Sequence, residues 1–308
     1  MNLYELAQPG VITNPASHVE YLTMVLKENI NQASVTKAIS EITNVQKSVS
    51  QKDNTCNLSI TTGFSANGWQ ILFPNIEFPQ GLKPFEEMKD GNRYFPATAG
   101  DIFFMIKSSR LDLNYQAAKY LVKFFSGIAV ATEDIQGFKY LDDRDLIDFV
   151  DGTENPVGEL RYKSILVADG TYKGGSFLTI QKYIDKQTMW DALSVEEQEN
   201  TIGRTKMDDI EIDEDKKKPY AHNVKAKLTI DDEEIKMLRQ NRPFGNALEH
   251  GTMFVGFIAN PEHMVASLKQ MITADESGNY DHLLDFVTAT TGTNYFVPPQ
   301  SFLDNVGG

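Results

Sequence analysis

One cysteine, Cys56, stands in 308 residues. No intramolecular disulfide can form, and a thiolate-rich zinc site is excluded with it. Histidine is scarce too. The five imidazoles include no pair at the three- or four-residue spacing that puts two on one helix face, and no HExxH pattern occurs. Positive charge is in deficit. With 29 Lys and Arg against 43 Asp and Glu, the formal net charge of -14 argues against a nucleic-acid or anionic-membrane surface, because such partners need a basic patch. No window approaches the roughly 18 consecutive apolar residues of a membrane span. The opening MNLYELAQPGVITNP carries Glu5 and neither a basic cluster nor an apolar core, so it does not read as a secretory signal. The closing FLDNVGG follows the last strand-like run without a long extension that could dock into a shell or onto a partner. These absences set the expectation of a cytoplasmic protein, with neither membrane nor nucleic acid among its partners.

What is present is an ordinary globular composition, 41% hydrophobic and 23% charged, which is enough for one large domain or two of usual size. Residues 18–28 alternate as a strand, and 30–48 place Ile30, Val35, Ala38, Ile39, Ile42 and Val45 at helical spacing. Strand-like runs follow at 57–65 and 101–109 around a Pro- and Gly-rich loop. An amphipathic helix over 112–125 and a fourth strand ending at Phe138 complete the set. That order, β-α-β-β-α-β, is the split βαβ unit. A second, more ragged round has strands at 175–184, 253–259 and 293–299, and helices at 189–204 and 261–272. The expected class is α+β with two antiparallel sheets, divided into halves 1–156 and 157–308 across a turn-rich link near 156–174. The charged run EIDEDKKK, 211–218, reads as a solvated loop.

The chemistry-bearing stretch is Pro219 to Asn246, PYAHNVKAKLTIDDEEIKMLRQNRPFGN. It holds His222 and, seventeen residues on, the cluster Arg239-Gln240-Asn241. Far upstream, DFVDGTENP offers Asp151 before Gly152. Each has a bland alternative. An isolated histidine is more often a satisfied polar group than a ligand, Asp-Gly is a favoured turn dipeptide, and an arginine before Pro-Phe-Gly is commonly a surface residue with a packed stem. Together they suggest three segments meeting at one cofactor: an imidazole for a metal, a carboxylate for proton transfer, and a guanidinium for an anion.

These motifs resemble the dye-decolorizing peroxidase family, in its shorter bacterial type. The distal GxxDG motif ends here in Asp151-Gly152, the proximal histidine matches His222, and the LRxNxPFG run matches Arg239 and Asn241 in LRQNRPFG. Further similarity runs through GFKYLDDRDLIDFVDGTENP, GGSFLTIQKY, ALSVEEQENTIGRTKMDD and LLDFVTATTGTNYFVPP, so it spans nearly the whole chain. Two positions depart: Asp148 stands where the motif begins with glycine, and Ala221 stands where Ser often precedes the histidine.

The resemblance implies a duplicated ferredoxin-like fold with haem b, iron protoporphyrin IX, in the C-terminal half. It implies a homo-oligomer that uses hydrogen peroxide to oxidise an organic electron donor, phenolic compounds and bulky dyes included. A single neutral imidazole is what a five-coordinate haem requires, since it leaves the opposite face open. On this reading Asp151 relays the peroxide proton, Arg239 steadies the charge of the departing oxygen and Asn241 donates a hydrogen bond. Arg204, in IGRTK, faces a haem propionate or else complements a helix C-terminus. Asp285 is either the carboxylate on the far nitrogen of His222 or a helix-surface residue. Trp190, Tyr172, Phe254 and Phe257 are core residues or carriers of electrons to the surface. Two rivals remain: a haem-handling protein with little turnover, and an interaction module with no cofactor.

Overall fold

The computed structural model describes residues 2–306. In the N-terminal half, strands β1 (His18–Leu26), β2 (Ser59–Phe64), β3 (Ile102–Ser108) and β4 (Ala129–Phe138) alternate with helices α1 (Gln32–Ser50) and α2 (Leu111–Phe125). In the C-terminal half come β5 (Ser176–Asp185), helix α3 (Val195–Ile202), the one-turn helix α4 (His222–Lys225), β6 (Leu238–Arg239), β7 (Arg242–Gly245), β8 (His250–Ile258), helix α5 (Pro261–Ile272) and β9 (Thr293–Val297). The first four strands lie side by side as β4-β1-β3-β2, and the later ones as β9-β5-β8-β7. Each half therefore places its strands in the order fourth, first, third, second, all antiparallel.

The two sheets expected from the sequence are not separate. Phe64 pairs with Phe296 where β2 meets β9, and Gly137 pairs with Phe244 where β4 meets β7, so the strands close into a ring. Closure leaves few free sheet edges and creates an inside and an outside for every strand. Strand alternation then explains runs that are apolar on both faces. Tyr21, Phe103 and Met105 point inward to meet Leu178, Val255, Phe257 and Tyr295 of the other half. Leu22, Met24, Ile102, Phe104 and Ile106 point outward beneath α1 and α2, which bury Val35, Ile39, Ile42, Ala117 and Leu121 at i, i+3 and i+4. Helix ends follow local chemistry. Asn31 caps α1 at Ala33, and Asn260 caps α5 at Glu262 with Pro261 in the first turn.

Two other expectations change. The helix expected over 189–204 is broken into Gln187–Asp191 and α3, because Ser194 forms a capping box with Glu197 and its extended backbone interrupts the first segment. The chain also continues past its last strand into a helix, Gln300–Val306, that packs on α1.

One outward residue of β1 breaks the pattern. Glu20 is fully buried and neither carboxylate oxygen has a hydrogen-bond partner among the described residues. Burial first, and the charge of Asp134 second, push its carboxyl up to about 8. Its raised folded-state value favours folding while the group is protonated, and that advantage is lost as pH rises through about 8. Glu20→Gln is thus expected to be more stable than wild type at pH 9, by on the order of a few kcal/mol, with the gap gone below about pH 5. Thermal melts across this range, showing no pH-dependent gap, would reject the account.

Candidate active site

A cavity of about 250 Å³ is walled by β5, the loop Asp145–Glu154, α4, α5, the Met237–Asn241 run and residues 283–287. His222, Asp151, Arg239, Asn241 and Arg204 all line it; Asp285 does not. Met237, Phe254, Met264, Leu268, Met271 and Val287 supply apolar walls.

His222 is the first residue of α4. Its placement depends on Gly203, which ends α3 at φ +90°: a β-carbon there would strike the Asn223 side chain, and Asn223 Nδ2 donates to the Gly203 carbonyl at 3.1 Å. Nδ1 of His222 lies 2.7 Å from Oδ2 of Asp281, a carboxylate with no solvent exposure. With Nδ1 engaged, Nε2 is the nitrogen left for a metal, and a carboxylate behind an imidazole strengthens its donation. The carboxylate in this position is Asp281, four residues before the expected Asp285. Asp285 instead accepts the phenol of Tyr280 at 3.1 Å to each oxygen. Asp281 also caps the short helix His282–Asp285 by accepting from Leu283 N, so a cap and a ligand partner coincide in one residue. In the sequence YDHLLDF both aspartates flank one helical turn, and spacing does not choose between them.

The LRQNRPFG run works by alternation. Arg239 and Asn241 face the cavity, while Gln240 and Arg242 face the N-terminal half. Gln240 donates to the carbonyls of Gly10 and Val11 and accepts from the buried Lys107, whose ammonium is pulled down to about 7 by burial and then by the charges of Arg242 and Arg161. Arg242 donates to the Ala16 carbonyl and Asp143. Asn241 Oδ1 accepts the Val255 N–H at 2.9 Å, so its amide N–H groups are the part free to act. The peptide of Arg239 is clamped at both ends by one side chain: Asn155 Oδ1 accepts its N–H at 2.8 Å and Asn155 Nδ2 donates to its carbonyl at 2.8 Å. In the sequence Asn155 is only one more turn-type residue of DFVDGTENP, and nothing there announces the clamp. Asn155→Ala is expected to keep the cofactor but slow peroxide consumption about 10-fold, since a small misplacement of a charge-stabilising group is costly. Equal rates in stopped-flow mixing would remove this positioning role.

Asp151 sits on a compact loop. Its N–H donates to the Asp143 carbonyl, and Arg144 ties the loop to the 206–207 segment through the carbonyls of Asp148, Lys206 and Met207. Asp148, at the motif's glycine position, has φ +72°, the left-handed region that glycine enters without cost and that Asp tolerates better than most residues. Its carboxylate pairs with Lys206 Nζ at 3.2 Å. The departure therefore keeps the backbone shape and adds an ion pair.

Behind Asp151 lie further buried polar groups. Gln181, Tyr183 and Asp185, spaced by two, share the cavity face of β5. Gln181 Nε2 and Asp185 Oδ2 are buried with no partner among the described residues. Burial pushes the Asp185 carboxyl up to about 6, partly offset by His250. Burial, with Asp151 and Asp185 adding repulsion, holds Asp145 well above the usual carboxylate range. Arg204 is held by Asp209 at 2.6 Å and Glu154 at 3.0 Å.

Residues 8–139 match the Dyp-type peroxidase N-terminal family and residues 142–302 the Dyp-type peroxidase C-terminal family. The chain belongs to the Dyp-type peroxidases. Dye-decolorizing peroxidase from Rhodococcus erythropolis is 36% identical over 312 residues, covering 99% of this chain and 90% of the relative. That from Mycobacterium tuberculosis is 36% identical over 279 residues, covering 89% and 83%. Among solved structures, the encapsulated DyP-type peroxidase of Mycobacterium smegmatis superposes with a TM-score of 0.93 at 35% identity, covering 98% of each chain. An arginine-to-leucine variant of Rhodococcus jostii RHA1 DypB, in complex with heme, gives 0.93 at 34% identity, covering 99% of this chain and 100% of that one. This Dyp-type peroxidase is accordingly a haem enzyme that reduces peroxide at the expense of an electron donor. Its cavity fits that cofactor: one imidazole braced by a carboxylate, apolar walls and orphaned polar atoms. No described helix is long and apolar enough to cross a membrane.

Proposed function

We propose that His222 would hold the iron of haem b in the C-terminal half of a duplicated ferredoxin-like chain, with halves 1–156 and 157–308. The repeated strand order of the two halves supports the duplication. Haem, when bound, supplies the iron at which the peroxide O–O bond is broken. The protein supplies the rest. Asp281 fixes the orientation of His222 through Nδ1. Asp151 takes the proton from the inner peroxide oxygen and returns it to the outer one. Arg239, with its fixed fork of N–H donors, stabilises the negative charge on the departing oxygen, and the Asn241 amide orients peroxide by donation. Arg204 meets a propionate at the cavity edge.

The observation that carries this reading is the convergence of His222, backed by Asp281, with Asp151 and Arg239 on one cavity. A haem carrier would need the first pair and not the second. Donors are organic, phenolic compounds and bulky dyes among them; the protein works in the cytoplasm as a homo-oligomer. Protein purified from haem-supplied cells should show a Soret band that shifts within the mixing time of one equivalent of peroxide and returns on adding a phenol. A Soret band indifferent to peroxide would leave only the carrier.

A further inference from the structure

Pairing with β8 is interrupted where the cavity-facing residues sit. The ladder stops after Arg239 and resumes at Arg242. Gln240 keeps one bond of its pair, from its N–H to the Val255 carbonyl at 2.9 Å. The return bond is diverted: the Val255 N–H goes to Asn241 Oδ1 at 2.9 Å, and the Gln240 carbonyl accepts the Tyr21 phenol at 3.3 Å. Side chains and carbonyls of the N-terminal half take over. Gln240 is buried, and its Nε2 donates to the carbonyls of Gly10 at 3.1 Å and Val11 at 2.8 Å. Its Oε1 accepts from Lys107, which is 2% exposed and shares the inward face of β3 with Phe103 and Met105. Lys107 Nζ has three acceptors in reach: Gln240 Oε1, the Thr13 carbonyl at 3.1 Å and the Asn14 carbonyl at 3.2 Å. Arg161, on the helix Gly158–Ile165, and Arg242 donate to the same stretch at the carbonyls of Ile12 and Ala16. Gln8 fastens that stretch to both halves, through Thr62 of β2 and the Pro298 carbonyl beyond β9.

We infer that Lys107 is a positioning residue for the peroxide reaction, holding Asn241 through Gln240 by three N–H donors matched to three acceptors. This rests on the reading in which the Asn241 amide donates to peroxide. An ammonium carries three hydrogens, and here each has an oxygen to meet. A neutral amine carries two. Loss of one proton therefore breaks one of the three bonds and sets a lone pair against an oxygen in a buried place. The chain then loosens at the point where its ladder is already interrupted. Arg239 is shielded from this, because Asn155 grips its peptide at both ends. Among the described residues no side chain does the same for the peptide of Asn241, so its place depends on Gln240 and Arg242 on either side.

The surroundings bring this proton loss close to neutrality. Burial, then the positive charges of Arg242 and Arg161, pull the Lys107 ammonium down to about 7. Arg242 is balanced in part by Asp143, 3.0 Å away, whose carbonyl accepts from the Asp151 N–H. The other titratable group on Gln240 is the Tyr21 phenol, which burial raises far above its ordinary value, so it keeps its proton throughout. Lys107 is thus the group of this cluster that changes state near neutral pH. None of these residues lines the cavity, and their influence on peroxide passes through the backbone of Gln240 and Asn241.

The test follows the proton and the reaction together. In the full chain labelled with carbon-13 at lysine Cε, one resonance should titrate near neutral pH and vanish in Lys107→Met. Arg161→Gln removes a neighbouring positive charge and should move that titration to higher pH; Arg161→Lys keeps the charge and should leave it in place. In the holoenzyme, the stopped-flow rate with peroxide should fall about 10-fold as pH rises through the same value, as a small misplacement would make it. This alkaline limb should follow the resonance in both Arg161 variants, which serve if Lys107→Met does not fold. Lys107→Met itself should be slow on the acid side of the limb and lack the fall, with the Soret band of wild type. The limb should persist in Arg239→Leu, where Asn241 is intact, and be absent from Asn241→Ala. A limb that ignores Arg161→Gln while the resonance moves overturns the proposal. So does a limb retained in Lys107→Met, or one retained in a slowed Asn241→Ala. If Asn241→Ala reacts with peroxide at the wild-type rate, the role of Asn241 fails and takes this proposal with it.

Discussion

Arg239→Leu should slow the reaction with peroxide by roughly 100- to 1,000-fold, the usual cost of a lost preorganised charge-stabilising donor. Asp151→Ala should slow it by about 100- to 10,000-fold, the range for a positioned proton-transfer group. The ranges overlap, so size does not divide the work between them; pH does. A guanidinium stays charged throughout, hence Arg239→Leu should keep the pH profile of wild type while lowering it everywhere. Asp151→Ala should lose the acid limb. The structure adds a complication that the motif alone does not show. Asp185, pushed up to about 6 by burial, lines the same cavity, and Asp145 lies between the influence of both carboxylates. A limb near pH 6 could therefore belong to Asp185. Asp185→Asn decides: it should leave the limb in place if Asp151 is the relay, and abolish it if Asp185 is. Stopped-flow traces of peroxide-dependent haem oxidation across pH, for all four proteins, carry the result. If Asp151→Ala reacts at wild-type speed with an unchanged limb while Arg239→Leu is inactive, Asp151 is only a turn residue.

The sequence was legible where chemistry and backbone periodicity coincide. Arg239 and Asn241 were singled out by the LRQNRPFG motif, and both line the cavity. The extents of α1, α2 and α5 were read to within two residues from apolar spacing, and the start of α5 from Pro261. What could not be read were relations across distance. Ring closure rests on single pairings, Phe64 with Phe296 and Gly137 with Phe244, and nothing in either local run announces a partner in the other half. The imidazole's carboxylate lies 59 residues from His222 in sequence. Two aspartates four residues apart were equally eligible, and the choice was made by the direction in which a short 3-10 helix turns Asp281 inward and Asp285 outward. Asp148 shows the reverse case. A residue that looks like damage to a glycine motif is accommodated by the backbone angle that the motif exists to permit.

Replacing His222 with Ala should cost the protein its haem. No other imidazole lines the cavity among the described residues, so the iron would lose its protein bond. The substitution also strips Asp281 Oδ2 of its only partner among the described residues, and leaving a fully buried acceptor unsatisfied costs about 1–3 kcal/mol, more if it is charged. A purified His222→Ala protein without a Soret band would then admit two explanations, a missing ligand or a loosened fold. Free imidazole distinguishes them. The side chain removed leaves space of the ligand's own shape beside Asp281, and an added imidazole can bond that carboxylate through one nitrogen and iron through the other. In a missing-ligand protein, haem and imidazole together should restore the Soret band, and imidazole alone should raise the melting temperature of the apoprotein. A loosened fold would respond to neither. Asp281→Asn completes the series, because it preserves the cap on Leu283 while weakening what reaches the imidazole. It should retain haem with affinity reduced by about 10- to 100-fold, the usual effect of losing the partner behind a ligand. The iron should be easier to reduce, whereas Asp285→Asn should leave the reduction potential at its wild-type value. A His222→Ala protein that holds haem with an unchanged ferric spectrum and no added imidazole would place the ligand elsewhere. A potential that moves with Asp285 and not with Asp281 would return the proximal role to Asp285.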